Sequence, residues 1–112
     1  LAMGPGSLGW VRAAYASMRA ALAPGMIERA KPPVLLLASD ADKLVSFAAI
    51  MQTALRLKDC QLVHFGPEAR HEILREADPV RDRVIAACDA FSAEIMDLIA
   101  WHRIKLAREA RA

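Results

Sequence analysis

Two side chains in this sequence could do chemistry together, Asp42 and His71. They stand 29 positions apart, so only the fold can bring them into contact. Where a carboxylate and an imidazole do meet, the carboxylate accepts a hydrogen bond from one ring nitrogen. The other nitrogen is then left to act as a base. Asp40 competes with Asp42 for the acid's place, although its carboxylate could instead bond its own backbone and shape a turn. His64 lies inside an apolar run and His102 inside a basic one, and both default to structural roles.

The elements that must position these groups lie between Pro33 and Glu76. Val34-Leu35-Leu36-Leu37-Ala38 is a continuous apolar run, the pattern of a strand buried on both faces in a parallel sheet. Ser39-Asp40-Ala41-Asp42-Lys43 breaks it with short polar residues that favour turns. From Ser46 to Leu57 the spacing is helical, with Phe47, Ile50, Met51, Ala54 and Leu55 on one face and Ser46 as N-cap. Gln61-Leu62-Val63-His64-Phe65 is a second strand, stopped by Gly66-Pro67. Strand, helix, strand predicts a βαβ unit with parallel strands and a right-handed crossover. Asp42 and His71 then both lie beyond the carboxyl ends of neighbouring strands, the edge where open α/β sheets place their chemistry.

At these residues the sequence resembles a family. Pro33-Val34-Leu35-Leu36-Leu37 followed by Ser39-Asp40-Ala41-Asp42-Lys43-Leu44-Val45 is similar to the acid-bearing turn of α/β-hydrolases, an apolar strand and then Gly-Glu-x-Asp-Arg-x-Val. Gly66 to Glu76 resembles the histidine loop of the lysophospholipase and monoacylglycerol-lipase branch, which also includes serine aminopeptidase-type members. The resemblance covers roughly residues 30–95. It implies a partial α/β-hydrolase fold, with Asp42 as the acid and His71 as the general base of a catalytic triad. Asp42 is favoured over Asp40 because Lys43-x-Val45 follows it at the family's spacing. Glu72 and Glu76 would brace the histidine loop. Ser39 stands where the family usually has Gly, and the spacing from Gly66 to His71 is longer than usual.

One part of the pattern is absent. The family's nucleophile sits in a Gly-x-Ser-x-Gly elbow, and none of Ser7, Ser17, Ser39, Ser46 or Ser92 has glycines at both −2 and +2. The expectation is therefore the carboxyl-terminal part of a serine ester hydrolase, acting on an ester or lysolipid substrate. It would pair with an amino-terminal half that carries the serine. A non-catalytic fragment that docks on a partner chain or self-associates is the alternative. No metal or cofactor is implied.

Ahead of the central unit, residues 1–9 read as a loop. Leu8, Val11, Tyr15, Met18 and Leu22 recur at helical steps up to Pro24-Gly25. The resemblance places such a helix in the cap over a hydrolase site, where Trp10, Tyr15 and Met18 would face an acyl chain. An ordinary packing helix with Trp10 at its rim is the competing reading. After the central unit, Asp78-Pro79 reads as N-cap and first helical residue. The stripe Val80, Val84, Ile85, Cys88, Phe91, Ile95, Leu98, Ile99 carries that helix past Leu98. These signals divide the chain into residues 1–31 (loop and cap-type helix), 32–100 (the part carrying acid and histidine) and 101–112 (a basic helical tail).

At 112 residues one domain is the natural count, and 55% apolar residues with few aromatics fit either a segment that buries much of its surface or a fragment that a missing half covers. Leu1 in place of Met predicts that the natural start was removed or lies upstream. No signal-peptide layout and no run near the ~20 apolar residues of a membrane span is present. Cys60 and Cys88 read as buried or half-buried thiols of a reducing compartment. A cytoplasmic place is expected, with membrane-surface contact open through the tail. The net charge of +2 argues neither for nor against an acidic partner, and no nucleic-acid partner is expected.

Overall fold

A computed structural model describes Gly4 and residues 6–112. The loop expected at residues 1–9 therefore falls partly outside the described residues. Helix α1 spans Leu8–Leu22, strand β1 Val34–Ser39, helix α2 Phe47–Arg56, strand β2 Cys60–Phe65 and helix α3 Asp78–Glu109. Short 3-10 turns occupy Ile27–Arg29 and Ile73–Arg75. β1 and β2 pair in parallel, from Val34 opposite Cys60 to Ser39 opposite Phe65. The ladder extends beyond the apolar patterns, to Ser39 in β1 and back to Cys60 in β2, with Val34 N–H on Asp59 C=O and Asp40 N–H on Phe65 C=O.

Alternation along the strands sends side chains to two faces. On one face Phe65 packs with Ala69, Val80 and Val84, backed by Leu37, Val63 and Ile73, so α3 covers that side. On the other, His64 stacks on Phe47 of α2 with ring centroids 4.8 Å apart. Ser46 caps α2 as its type predicts, its Oγ accepting from Ala49 N–H at 3.3 Å. Arg56, at the other end of α2, fastens α1. Its guanidinium donates to the carbonyls of Leu22 and Ala23 at 2.8 and 2.9 Å, and to both carboxylate oxygens of Glu28 at 2.7 and 3.1 Å. A cation on the last carbonyls of a helix satisfies orphan acceptors and opposes the negative pole of the dipole. The Arg56 contact holds the Glu28 carboxyl down to about 2 from its ordinary 4.5.

Several expectations need correction. β1 is half-buried from Val34 to Leu37, and only Ala38 and Ser39 are buried, because a single strand flanks it. Leu55 lies exposed while Phe47, Ile50, Met51 and Ala54 are half-buried, since at ~100° per residue it falls at the edge of their face. Asp78 is not the N-cap of α3. Ala77 holds that place without a side-chain bond, and the Asp78 carboxylate turns instead to Arg81 at 2.8 Å. The helix expected to run past Leu98 does so: no Gly or Pro follows Pro79 before Glu109, and α3 continues for 32 residues through the basic stretch. Of its apolar stripe only Val80 and Val84 are buried. Cys88 is exposed and Cys60 half-buried, both as free thiols. Burial, and then the nearby Asp59 carboxylate, push the Cys60 thiol upward.

The chain leaves much surface uncovered. Its accessible area is 9043 Å², where a folded monomer of this mass exposes about 6,100 Å². Its radius of gyration is 18.8 Å against about 13 Å for a compact chain of this length. Leu8, Trp10, Met96, Trp101 and Leu106 are all exposed. Among the described residues no helix is long and apolar enough to cross a membrane.

Candidate active site

The turn after β1 and the loop after β2 meet at the carboxyl end of the sheet. Asp42 is fixed by its own turn, with Oδ1 accepting from Leu44 N–H at 2.7 Å and from Val45 N–H at 3.2 Å. This is the bonding by which short carboxylates mimic a backbone turn. It leaves Oδ2 to accept from His71 Nδ1–H at 2.8 Å. The Asp42 side chain is 6% exposed and the His71 ring 44% exposed, so the carboxylate is sheltered while the imidazole stays open to solvent. The His71 bond, followed by the two backbone N–H groups, holds the Asp42 carboxyl below its ordinary value of 3.8, against an opposing effect of burial. A carboxylate so held stays ionised, fixes the ring so that Nδ1 carries the proton, and would stabilise an imidazolium. His71 Nε2 has no hydrogen-bond partner among the described residues and is the nitrogen able to take a proton.

Asp40 does something else. Its Oδ2 lies 3.0 Å from His64 Nε2, in a pair whose two side chains are both about half exposed. The expected turn-shaping bond from Asp40 to its own backbone is not formed. The structure therefore separates the competing acids by partner: Asp42 meets His71, and Asp40 meets the strand histidine stacked on Phe47.

Ser39 joins the two segments, and sequence reasoning did not assign it that place. It is 1% exposed. Its Oγ donates to Ala69 C=O at 2.6 Å, with Gly66 C=O at 3.2 Å, and accepts from Ala41 N–H at 3.0 Å. One hydroxyl thus ties the start of the acid turn to the loop that presents His71. Further along, Glu76 Oε1 accepts from Arg70 N–H at 2.9 Å and braces the same loop, while Glu72 pairs with Arg75 at 2.7 Å.

The remaining singled-out residues lie apart. Trp10, Tyr15 and Met18 are exposed on α1, and none lines the clefts beside His71. Ser7 and Ser46 accept bonds at the starts of α1 and α2, while Ser17 and Ser92 lie within α1 and α3. None is bonded to His71. Among the described residues no group of three His, Cys, Asp or Glu side chains gathers where a metal ion could be held.

No protein-family model matches the chain, and no curated protein does. Two solved structures of Thermogutta terrifontis esterase 2 resemble it. The form phosphoramylated by tabun is 26% identical, with a TM-score of 0.55 over 70% of this chain and 35% of that one. The form phosphonylated by sarin is 24% identical, with the same TM-score over 85% of this chain and 38% of that one. The chain spans somewhat over a third of the length of the structures it matches. Over that stretch it is a partial α/β architecture similar to part of a bacterial esterase.

Proposed function

We propose that this chain supplies the acid and the base of a serine ester hydrolase, with the nucleophile on a polypeptide segment outside these 112 residues. The observation that carries the reading is the Asp42–His71 contact at 2.8 Å, with the other Asp42 oxygen held by two backbone N–H groups. His71 Nε2 would take the serine proton during attack on the ester carbonyl and return it to the leaving alcohol. Asp42 would hold the tautomer and balance the imidazolium. Likeness to an esterase supports the reaction class. The finer assignment, a lysophospholipase or monoacylglycerol-lipase type of enzyme, rests on the motif Gly66 to Glu76. By the same reading residues 1–31 belong to a cap, residues 32–100 to the hydrolase sheet and residues 101–112 to a basic tail.

A second reading is favoured by the uncovered surface. An exposed area about one and a half times that of a compact monomer fits a fragment that docks on a partner or on itself without catalysis. One experiment separates the two. Native material is treated with a fluorophosphonate probe, a choice supported by the matched esterase's phosphonylation by sarin, and read by intact mass spectrometry. Labelling of a companion polypeptide or of a longer chain, abolished by His71→Ala, supports the hydrolase reading. If this chain is the sole species and nothing is labelled, the hydrolase reading falls and the docking fragment takes its place.

A further inference from the structure

Beside the His71 ring lies a cleft of about 460 Å³ between the acid turn and the histidine loop, lined by Lys43, Leu44, Arg70, His71, Glu72, Arg75 and Glu76. Its charges are unequally committed. Arg75 is neutralised by Glu72 at 2.7 Å, and the Glu76 carboxylate accepts the backbone N–H of Arg70 at 2.9 Å. Lys43 and Arg70 are exposed and make no ion pair among the described residues. This contrasts with the other arginines packed around the sheet, since Arg56, Arg81 and Arg83 each hold a carboxylate. Two cations without an ion pair, one directly after Asp42 in sequence and one directly before His71, thus line the cleft that His71 also lines.

We propose that this cleft binds an oxyanion carried by the ester substrate, a phosphate or a carboxylate held between Lys43 and Arg70. The proposal rests on the reading of His71 as the base and deepens it by naming the substrate's chemical class. A guanidinium takes such a group through paired N–H donors, and an ammonium adds a second charge. An anion seated there would place a neighbouring ester bond within reach of His71 while the Asp42 side keeps its own hydrogen bond. Neutral esters would lack this anchor.

The test follows the ring and backbone resonances of the full chain by NMR during additions of inorganic phosphate, glycerol 3-phosphate, acetate and neutral glycerol. Saturable shifts at His71, Lys43 and Arg70 with one or more of the anions and none with glycerol are expected, and which anion binds tells phosphate from carboxylate. Lys43→Gln combined with Arg70→Gln should weaken binding by about tenfold or more, the loss of one charge-assisted contact or better. Lys58→Gln, at the opposite end of β2, should leave it unchanged. Equal shifts with glycerol, undiminished binding in the double variant, or an equal loss with Lys58→Gln would each overturn the proposal. The same spectra report the Nδ1 proton of His71, which Asp42→Asn should perturb. Its absence from the unaltered chain would count against the base reading while leaving the anion result to stand or fall alone.

Discussion

Replacing Ser39 by alanine removes one oxygen on which three main-chain groups converge. Its Oγ donates to Ala69 C=O at 2.6 Å and accepts from Ala41 N–H at 3.0 Å, with Gly66 C=O a secondary acceptor at 3.2 Å. Ala69 is fully buried, so water cannot replace the lost donor there, whereas Ala41 is half-buried and can recover a partner. A buried acceptor left without a partner costs about 1–3 kcal/mol. Taking about 2 kcal/mol for Ser39→Ala, and about 0.5–1 kcal/mol more for the backbone freedom of glycine, the order of stability should be Ser, then Ala, then Gly. A chain of 112 residues has about 6–17 kcal/mol in all, so the variants still fold. The midpoint of thermal unfolding should fall by about 8–9 °C for Ser39→Ala. Urea unfolding at fixed chain concentration should show a lower midpoint with an unchanged slope. The hydroxyl also positions the histidine loop, so the Nδ1 proton resonance of His71 should broaden in Ser39→Ala. If Ser39→Ala loses less than about 0.5 kcal/mol and the His71 resonance is unmoved, the Ser39 hydroxyl does not join the acid turn to the histidine loop.

Because the His71 contact depresses the Asp42 carboxyl below its ordinary 3.8, the stabilisation from this bond is fully present above that value and is lost as pH falls through the depressed one. The His71 Nδ1 proton signal should therefore persist through mild acid and vanish only below it, and a signal lost well above pH ~4 would contradict the geometry. Glu28→Gln should break the two-pronged contact with Arg56 and loosen the last turn of α1, read as faster amide exchange at Arg19 to Ala23. In the unaltered chain the stabilisation from the ionised Glu28 carboxylate is lost as pH drops from 4.5 to about 2, and the same loosening should appear as pH falls through about 2, where the folded chain's Glu28 takes its proton. In sedimentation experiments the chain alone should form species larger than one copy, given an exposed area of 9043 Å² against about 6,100 Å². A clean monomer that binds no apolar dye would remove the need for a covering partner.

The βαβ unit was legible because its signals are local. Strand runs, the Ser46 cap and the Gly66-Pro67 stop each act within a few residues, and together they put Asp42 and His71 at one edge of the sheet. The end of α3 was less legible, since an apolar stripe shows which face wants cover but not where a helix without breakers stops. Ser39 was illegible for a different reason. Its acceptor is a main-chain carbonyl 30 residues away, and every residue offers a carbonyl, so the sequence carries no mark of the one that is used. The two aspartates are the instructive case. Asp40 keeps the ladder, with its N–H on Phe65 C=O, so its side chain continues the face of Leu36 and Ala38, and His64 sits opposite Ala38 on that same face. Period-two parity, extended two residues past the apolar run, would have sent Asp40 to His64. Asp42 lies beyond the ladder, where its own turn bonds set the carboxylate's direction and leave one oxygen for the loop histidine. Two residues of separation therefore move an acid from a strand face, where its partner is fixed by register, to a loop, where its partner is fixed by the crossing of two chain segments. The second setting is the one that leaves a base with a free nitrogen.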